Sequence, residues 1–421
     1  MAENAPLQQS LEHLFRHESG KMLSVLVKLF GLHQVEIAED IVQDTLLSAL
    51  ETWKLKGIPE QPRAWLYRAA KNKTIDFLRR ERNFQARVAP NAALESASHN
   101  TPAQWLASFF LETEIEDAQL RMMFACCHPA LPAEAQLTLI LRTLCGLSTA
   151  EIAAAFLLSE DTVTKRLYRA KEKIRQENIV LEVPAGASLL PRLDAVLQAV
   201  YLLFNEGYKS ATENEVIRRA LCQEALRLGE LLARHPVSDL PKTRALQALM
   251  YFHAARFDAR LDESGNIILL EYQNRSLWNR AMITEGYEYL KRSTEGNVIC
   301  EYHLEAAIAS YHASSPTFGQ TNWKGIFFCY DLLLKMNPSP FVALNRAIAL
   351  GFADGAAAGI QALLQINGLE NNHLYHTALG DFYYKKQQPE AAMASYRQAM
   401  ALARLSTERK VIGEKMEGLN R

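Results

Sequence analysis

The stretch LSTAEIAAAFLLSEDTVTKRLYRAKEKIR, from Leu147 to Arg175, has the pattern of two short helices joined by a tight turn. Ser148 and Glu151 have the spacing of a capping box at the start of the first helix. Ser159 can cap the second helix by accepting a hydrogen bond from a backbone N–H of its first turn. Leu157 stands at the turn, where such units often have glycine, so the turn must form without a residue that readily adopts left-handed backbone. The stretch therefore predicts a helix-turn-helix unit.

The second helix of this unit is predicted to have one apolar side and one cationic side. Its apolar positions are Val163, Leu167, Ala170 and Ile174. The polar and cationic positions recur at i, i+3, i+4, i+7 and i+11, and they are Thr162, Lys165, Arg166, Arg169 and Lys173. A helix divided in this way fits the major groove of DNA, where lysine and arginine contact phosphates and guanine edges. The alternative is an ordinary solvated helix.

Length and composition limit the remaining possibilities. The chain has 421 residues, which exceeds a single hydrophobic core and indicates about two to four domains. The formal net charge is −1, so any affinity for nucleic acid must come from local patches. The six cysteines are scattered without the spacing of a disulfide framework, which favours reduced thiols. Because we find neither a signal peptide nor a membrane-spanning apolar run, we expect a cytoplasmic protein with no membrane partner.

The N-terminal part predicts amphipathic helices. The first covers Leu11 to Phe30 and ends at Gly31. The second covers Val35 to Trp53, with an apolar stripe that includes Leu50 and an opposite face rich in acidic and amide side chains. Such a face is usually only solvated, and its functional interpretation is a docking surface for a basic partner helix.

A third helix is predicted in PRAWLYRAAKNKTIDFLRRERN, after a loop from Gly57 to Pro62. Its basic residues are interleaved with Trp65, Tyr67 and Phe77. Aromatic rings stack on unpaired bases while cations bind phosphates, so this helix fits single-stranded or melted nucleic acid. We assign Trp65 itself to the hydrophobic core because it lies on the apolar stripe.

Two blocks of the sequence resemble a known family. AEDIVQDTLLSALETW followed by PRAWLYRAAKNKTIDFLRRE resembles region 2 of the sigma-70 family, specifically its extracytoplasmic-function (ECF) group. The segment from Glu114 to Arg175 resembles region 4 of the same proteins. The resemblance implies that region 2 docks on the clamp helices of the RNA polymerase β′ subunit and helps melt the minus-10 promoter element. It also implies that region 4 binds the minus-35 element and contacts the β flap.

The resemblance also implies which residues form each interface. The polymerase-contacting face of region 2 comprises Asp40, Gln43 and Asp44. The helix that faces promoter DNA carries Asn72, Asp76, Arg79 and Arg80, with Arg63 and Lys73 as further phosphate contacts. The recognition helix of region 4 presents Lys165, Arg166 and Arg169, beside the Thr162 and Lys173 of the same face.

These blocks divide the chain into four predicted segments. Residues 1–87 are region 2, residues 88–113 a flexible linker, residues 114–180 region 4, and residues 181–421 a helical C-terminal extension. The linker is richer in Ala, Ser, Asn and Pro than its neighbours and has weaker periodicity. Counterparts of the larger regions 1 and 3 of housekeeping sigma factors are missing from the pattern, which favours the ECF group.

The extension has mostly helical periodicity. Its first predicted helices are Ala195 to Tyr208, Val216 to His235 and Ala245 to Arg260. The segment LDESGNIILLEYQNRSLW interrupts them, with a turn from Asp262 to Asn266 and a run from Ile267 to Leu270 that is either extended or the start of a helix. Near the C-terminus the spacing of a tetratricopeptide repeat is matched by Leu379, Gly380, Tyr383, Ala392, Tyr396 and Ala399, with Pro389 in the turn.

An earlier helix pair, from Val342 to Leu364, indicates at least two such repeats, since Ala358 lies 34 residues before Ala392. Stacked helix pairs create a groove that could hold a peptide, a small ligand or the chain's own sigma regions, or they form a spacer. Large ECF proteins with a tetratricopeptide-like extension form a recognised branch, and DESGNIILLEYQNRSLWNR resembles a motif of that extension. The resemblance implies regulation of the sigma regions in cis, through intramolecular contact.

The segment around Cys126, Cys127 and His128 raises the question of a metal or redox site. A structural zinc site needs about four ligands at CxxC-like spacing, which adjacent cysteines do not supply. We therefore assign the cysteines to buried apolar positions and predict no metal and no cofactor. A P-loop, a GxSxG, an HExxH and a glycine-rich dinucleotide turn are all missing, so we predict no enzyme.

The sequence thus predicts an all-α protein: two small helical sigma domains, the second with a helix-turn-helix, and a large tetratricopeptide-like domain. The predicted function is an ECF sigma factor that directs core RNA polymerase to promoter DNA. One alternative is a free-standing helix-turn-helix regulator, which the face at Asp40, Gln43 and Asp44 argues against. Another is a tetratricopeptide adaptor whose N-terminal part merely folds.

Overall fold

The computed structural model describes residues 5–88, 106, 108–156, 158–184, 189–208, 219–262, 267–296 and 298–419. Across these residues the protein has 18 α-helices, and its β pairing is an isolated antiparallel bridge between Leu261 and Ile267. The predicted all-α class is confirmed. The helices form two compact units, and the chain passes from the first to the second between Leu203 and Phe204, with Gln223–Ala225 grouped in the first.

The first unit begins with three helices: α1 (Ala5–Phe30), α2 (Val35–Lys56) and α3 (Pro62–Val88). A 3₁₀ turn, Leu32–Gln34, follows α1. Gly31 and Gly57 end α1 and α2 with φ of 87° and 79°, a backbone region that side chains other than glycine rarely adopt. The predicted end of the first helix at Gly31 is confirmed. Buried side chains that form the core of the three helices include Met22, Leu26, Val42, Trp53 and Leu66.

Four further helices of this unit contain the helix-turn-helix: α4 (Glu112–Cys126), α5 (Ala133–Thr143), α6 (Thr149–Phe156) and α7 (Glu160–Gln176). Most of the predicted linker, and Leu157 at the turn, lie outside the described residues. At the end of that linker Leu106 and Phe110 are buried, and the Phe110 ring lies 5.6 Å from the Tyr67 ring of α3. The chain just before α4 therefore packs on the first three helices.

The next helix, α8 (Leu189–Tyr208), belongs to the first unit as far as Leu203. Its buried Arg192 donates a hydrogen bond of 2.7 Å to the carbonyl of Phe124, near the end of α4. Burial lowers the pKa of the Arg192 guanidinium, the negative charge of Glu182 partly opposing it. This helix is thus joined to α4, beyond the residues assigned to region 4.

The second unit continues with ten helices: α9 (Arg219–Arg234), α10 (Pro241–Ala254), α11 (Arg280–Ser293), α12 (Glu301–Ser314), α13 (Trp323–Met336), α14 (Pro340–Ala353), α15 (Ala356–Leu364), α16 (His373–Lys385), α17 (Pro389–Leu402) and α18 (Ser406–Leu419). The pairs α14–α15 and α16–α17 each pack together and lie in the two segments predicted to be repeats. Gly380 allows α16 and α17 to approach closely, since a Cβ there would lie 2.5 Å from the Tyr396 ring.

One expectation for this unit needs correction, and one open alternative is resolved. The helix predicted to reach Arg260 ends at Ala254, because the carbonyl of Ala255 accepts a hydrogen bond of 2.8 Å from the backbone of Asn279 instead of continuing the helix. The run from Ile267 does not begin a helix: Ile268 donates a backbone hydrogen bond of 2.7 Å to Arg260, and a turn follows. Most of the predicted turn from Asp262 to Asn266 and the start of the helix predicted from Val216 lie outside the described residues.

Candidate nucleic-acid interface

The helix-turn-helix has the predicted caps. The backbone N–H of Ser148 donates to Glu151 Oε2 at 2.8 Å, and the N–H of Glu151 donates to Ser148 Oγ at 3.1 Å. The N–H of Thr162 donates to Ser159 Oγ at 3.2 Å. The capping box and the second N-cap are therefore confirmed. The predicted apolar side of α7 is also confirmed, because Val163, Leu167, Ala170 and Ile174 are all buried.

The opposite side of α7 forms one wall of an open groove of about 610 Å³. The other wall is the segment from Ala130 to Ala135, which leads into α5. All the residues predicted for the DNA-binding face of α7 line this groove, namely Thr162, Lys165, Arg166, Arg169 and Lys173. The structure thus brings the whole predicted set to one surface.

Most of the cations of this groove already have carboxylate partners. Lys165 pairs with Asp161 at 2.7 Å, and Arg166 pairs with Glu134 at 3.1 Å. Lys173 pairs with Glu177 at 2.6 Å, and this hydrogen bond lowers the pKa of the Glu177 carboxyl. The carboxylates of these pairs are exposed and the pairs are weak, so phosphate groups of a bound duplex could replace the carboxylates at little cost.

The predicted DNA-facing residues of α3 divide into two groups. Four of them, Asn72, Asp76, Arg79 and Arg80, are exposed, and Lys73 is half-buried. Arg63 lies apart at the start of α3, where it pairs with Glu112 and, at 3.4 Å, with the buried Glu18. It also donates a hydrogen bond of 3.1 Å to the Tyr67 hydroxyl. Arg63 therefore joins helices within the unit.

The aromatic residues of α3 have mixed burial. Trp65 is half-buried, with its ring 5.5 Å from the buried Trp53 ring. Phe77 is also half-buried and meets Phe30 edge-on, at 5.5 Å between ring centroids. Tyr67 donates a hydrogen bond to Glu18, and burial raises the pKa of its hydroxyl. These contacts place the three rings at the edge of the core.

The acidic face of α2 is open. Asp40, Gln43 and Asp44 are all exposed. Leu47 and Leu50 are also exposed, by 56% and 50% of their surface, and lie at helical spacing from the polar residues. Leu50 belongs to the predicted apolar stripe but is not covered, because the stripe is wider than the surface that α1 and α3 cover. The sequence analysis did not identify Leu47 as part of this exposed surface. The signal for it was the position of Leu47 one helical turn after Gln43 and Asp44.

The first three helices contact the helix-turn-helix group through ion pairs. Lys28 of α1 donates to Glu114 and Asp117 of α4, each at 2.7 Å. Burial alone would lower the pKa of Lys28, but these two hydrogen bonds outweigh it and the pKa is raised. From α7, Lys171 pairs with Glu39 at 2.6 Å. The two groups of helices therefore pack together within the first unit.

A second pair from the end of α7 adds to this contact. Arg175 pairs with Glu36 of α2 at 2.7 Å. Its hydrogen bond with Glu172, on α7 itself, raises the pKa of the guanidinium, and the bond with Glu36 adds to the effect. The groove-lining residues of α7 take no part in these pairs, so the cationic face stays open while the C-terminal half of the helix contacts α2.

The adjacent cysteines lie in the core, as predicted. Cys126 and Cys127 are 2% and 1% exposed. Burial raises the pKa of the Cys126 thiol to about 12, and it also raises that of Cys127. Within the part of the chain that the structure describes, His, Cys, Asp and Glu side chains nowhere gather in threes as a metal site.

None of the described helices is both long and apolar enough to span a bilayer.

Known families match three parts of the chain. Residues 14–84 match sigma-70 region 2, residues 121–174 match sigma-70 region 4, and residues 192–294 match a family of unknown function, DUF6596. The ECF RNA polymerase sigma factor SigL of Mycobacterium tuberculosis is 32% identical over 139 residues, which are 33% of this chain and 72% of SigL. The chain belongs to the ECF group of the sigma-70 family.

Other relatives of this sigma factor differ in how much of it they cover. The RNA polymerase sigma factor YlaC of Bacillus subtilis is 27% identical over 170 residues, 40% of this chain and 92% of YlaC. An uncharacterized protein of Rhizobium meliloti is 34% identical over 399 residues, 94% of this chain and 93% of its own length. The sigma factor therefore shares its C-terminal extension with a full-length relative. No solved structure matches it.

Membership assigns the helices to regions. Helices α1–α3 are region 2, and α4–α7 contain region 4. The family consists of non-enzymatic transcription initiation factors that bind core RNA polymerase and promoter DNA. In this sigma factor the exposed acidic face of α2 and the cationic groove of α7 are accordingly the candidate contact surfaces.

Proposed function

We propose that this sigma factor docks on the clamp helices of the β′ subunit through α2 of region 2. The main support is that α2 exposes polar and apolar side chains together: Asp40, Gln43 and Asp44 with Leu47 and Leu50. Carboxylates beside leucines suit a partner helix that presents both basic and apolar side chains. The protein then acts in the cytoplasm, where the polymerase is.

Promoter recognition divides between the two regions. The exposed residues Asn72, Asp76, Arg79 and Arg80 of α3, with Lys73 beside them, contact the minus-10 element. Thr162, Lys165, Arg166, Arg169 and Lys173 of α7 contact the minus-35 element, while the rest of region 4 contacts the β flap. Arg63 is the weakest member of the predicted set, since its guanidinium already pairs with Glu18 and Glu112.

Promoter binding requires the two regions to separate. The minus-35 and minus-10 elements are about 25 base pairs apart, roughly 85 Å of duplex at about 3.4 Å per base pair. Here α7 and α2 are joined by Lys171 and Glu39 at 2.6 Å, so the described arrangement is a closed form. The chain between Val88 and Glu112 can reach roughly 80 Å when extended, at about 3.3–3.6 Å per residue. The two regions that it joins add their own width, so together they can span both elements.

The C-terminal extension regulates the sigma regions in cis. This proposal is supported by the Rhizobium meliloti relative, which aligns over both sigma regions and the extension. Stacked helix pairs such as α14–α15 and α16–α17 offer binding surfaces that a spacer does not need.

Binding to core polymerase tests the docking surface. Replacing Asp40 and Asp44 with lysine should weaken binding by at least about tenfold, because like charges then face a basic partner. Glu60→Lys reverses one charge in the loop after α2, outside this surface; it is the control and should leave affinity unchanged. Equal affinity for all three proteins would refute the docking assignment.

A pull-down with core polymerase and transcription in vitro separate the two alternatives. A free-standing helix-turn-helix regulator would bind promoter DNA without retaining core polymerase in a pull-down. A tetratricopeptide adaptor would give no promoter-directed transcription even when polymerase is retained.

A further inference from the structure

The C-terminal extension contains a cavity that the sigma function does not use. Its volume is about 460 Å³, within the range of small-molecule sites. The lining residues come from the loop after the bridge, the α12–α13 connection, and α13, α14 and α16, and they are Glu271, Thr317, Phe318, Gly319, Trp323, Phe352 and Lys385. Glu271 belongs to the segment matched by the family of unknown function, and the others lie beyond it.

Three aromatic rings form the apolar wall of the cavity. Trp323 and Phe352 stack with centroids 4.4 Å apart and planes 19° apart. Phe318 meets both edge-on, at 5.0 Å from Trp323 and 5.2 Å from Phe352. All three rings are only half-buried, so the wall is available to a ligand. A fixed aromatic surface of this kind binds flat or branched apolar groups.

One cation and one anion face the same cavity. Lys385 Nζ lies 3.7 Å from the centre of the Phe352 ring, a cation–π contact. Burial lowers the pKa of Lys385, while the negative charge of Glu271 raises it in part, so the two groups are within electrostatic range. Among the described residues neither group forms a salt bridge. Both charges are therefore available to a ligand.

The segment that carries Glu271 is anchored. Arg275 donates hydrogen bonds to the carbonyls of His312 and Ser315, at the end of α12. The half-buried guanidinium also lies 4.8 Å from the centre of the Trp278 ring. These contacts hold the turn after Glu271 against the helix that leads into the aromatic wall. The carboxylate is thus placed by the fold, although its side chain is exposed.

We propose that this cavity binds a zwitterion with an apolar side chain, that is, a hydrophobic amino acid or a short peptide with free ends. Lys385 binds the carboxylate of the ligand, Glu271 accepts hydrogen bonds from its ammonium group, and the aromatic wall packs on its side chain. A purely anionic ligand is disfavoured by Glu271, and a purely cationic one by Lys385. The proposal is independent of the promoter and polymerase contacts proposed above.

Calorimetric titration of the full-length protein tests this proposal. The probes are L-phenylalanine and L-leucine, the dipeptide and tripeptide of phenylalanine, and the N-acetyl and amide derivatives of L-phenylalanine. Blocking either charged end should weaken binding by about tenfold or more. The peptides distinguish the two sources, since a site for free amino acids binds L-phenylalanine best and a site for peptide ends binds the longer probes best.

Matched variants assign the two charges. K385M and E271Q should each weaken binding by about tenfold or more, whereas K385R should retain it. K410M and E417Q, at exposed positions of α18, are the controls and should bind as the unmodified protein does. Thermal unfolding of each variant shows whether it is folded, and E271Q changes an exposed side chain, so it keeps the test usable if K385M does not fold.

Three outcomes would overturn the proposal. They are no binding of any probe, equal binding of the free and blocked forms of phenylalanine, and unchanged affinity in folded E271Q.

Discussion

Arg166 lies in the middle of the cationic face of α7, with its guanidinium 3.1 Å from Glu134. Its partial burial against the groove wall places it where a bidentate contact to a guanine edge is possible. Lys165, one position earlier, is exposed and pairs with Asp161 of the first turn. We expect the two side chains to have different roles, Arg166 at base edges and Lys165 at phosphates.

Replacing Arg166 with alanine should reduce discrimination between the preferred and altered minus-35 sequences by on the order of 1–3 kcal/mol, the value of one bidentate base contact. The measurement is the affinity of the polymerase holoenzyme for a set of promoters with single base changes. Lys165→Ala serves as the comparison and should weaken all promoters alike. If Arg166→Ala also weakens all promoters alike, Arg166 contacts phosphate and the assignment is wrong.

Individual residues also show what the sequence could predict. Ser148, Glu151 and Ser159 act within one or two helical turns, so their roles follow from spacing alone. Leu50 does not, because whether an apolar residue of α2 is covered depends on where α1 and α3 lie. The cationic face of α7 was predictable as a pattern, whereas the pairing of Arg166 with Glu134 required the fold.

At the scale of elements, the contact between α7 and α2 could not be predicted from the sequence. Lys171 and Glu39, which form the closest ion pair of that contact, are far apart in the chain. The pair is largely shielded, with side chains 16% and 14% exposed, so it contributes more than a fully exposed pair. Arg175 and Glu36 form a more exposed second pair beside it.

Reversing the charge of this contact should open the closed form. The variant Lys171→Glu with Arg175→Glu places like charges opposite Glu36 and Glu39, so the radius of gyration measured by small-angle X-ray scattering should increase. The double variant Lys165→Glu with Arg169→Glu makes the same charge change on the face of α7 away from α2 and should leave the radius of gyration unchanged. An ionic strength near 1 M, where the Debye length is about 3 Å, should weaken these ion pairs and also increase the radius of gyration of the unmodified protein. Scattering that is identical for the double variant and the unmodified protein would contradict the closed form.

At the scale of the whole molecule, α8 complicates the boundary between the sigma regions and the extension. The predicted boundary near residue 180 stays a prediction, and the structure groups α8 with the first unit as far as Leu203. Sequence reasoning found the helix but not its attachment, since the hydrogen bond from Arg192 to Phe124 joins a side chain to a distant backbone carbonyl.

Two truncations test this attachment and the control in cis. A chain that ends at Tyr208 keeps α8, whereas one that ends at Pro184 loses it and leaves the Phe124 carbonyl without Arg192. The shorter fragment should be less stable by about 1–3 kcal/mol, measured by denaturant unfolding. Transcription by the longer fragment should differ from that of the full chain. If a folded longer fragment transcribes at the same rate as the full chain, the extension does not regulate the sigma regions.

In our proposal, these two helical regions direct core RNA polymerase to promoters. The most direct measurement is transcription in vitro by core polymerase with the full-length protein, on templates covering the promoters of its source genome. We predict transcripts with a defined start, lost when Asp40 and Asp44 are replaced with lysine. Core polymerase that binds the protein yet produces no transcript from any defined start would show that the protein does not select promoters.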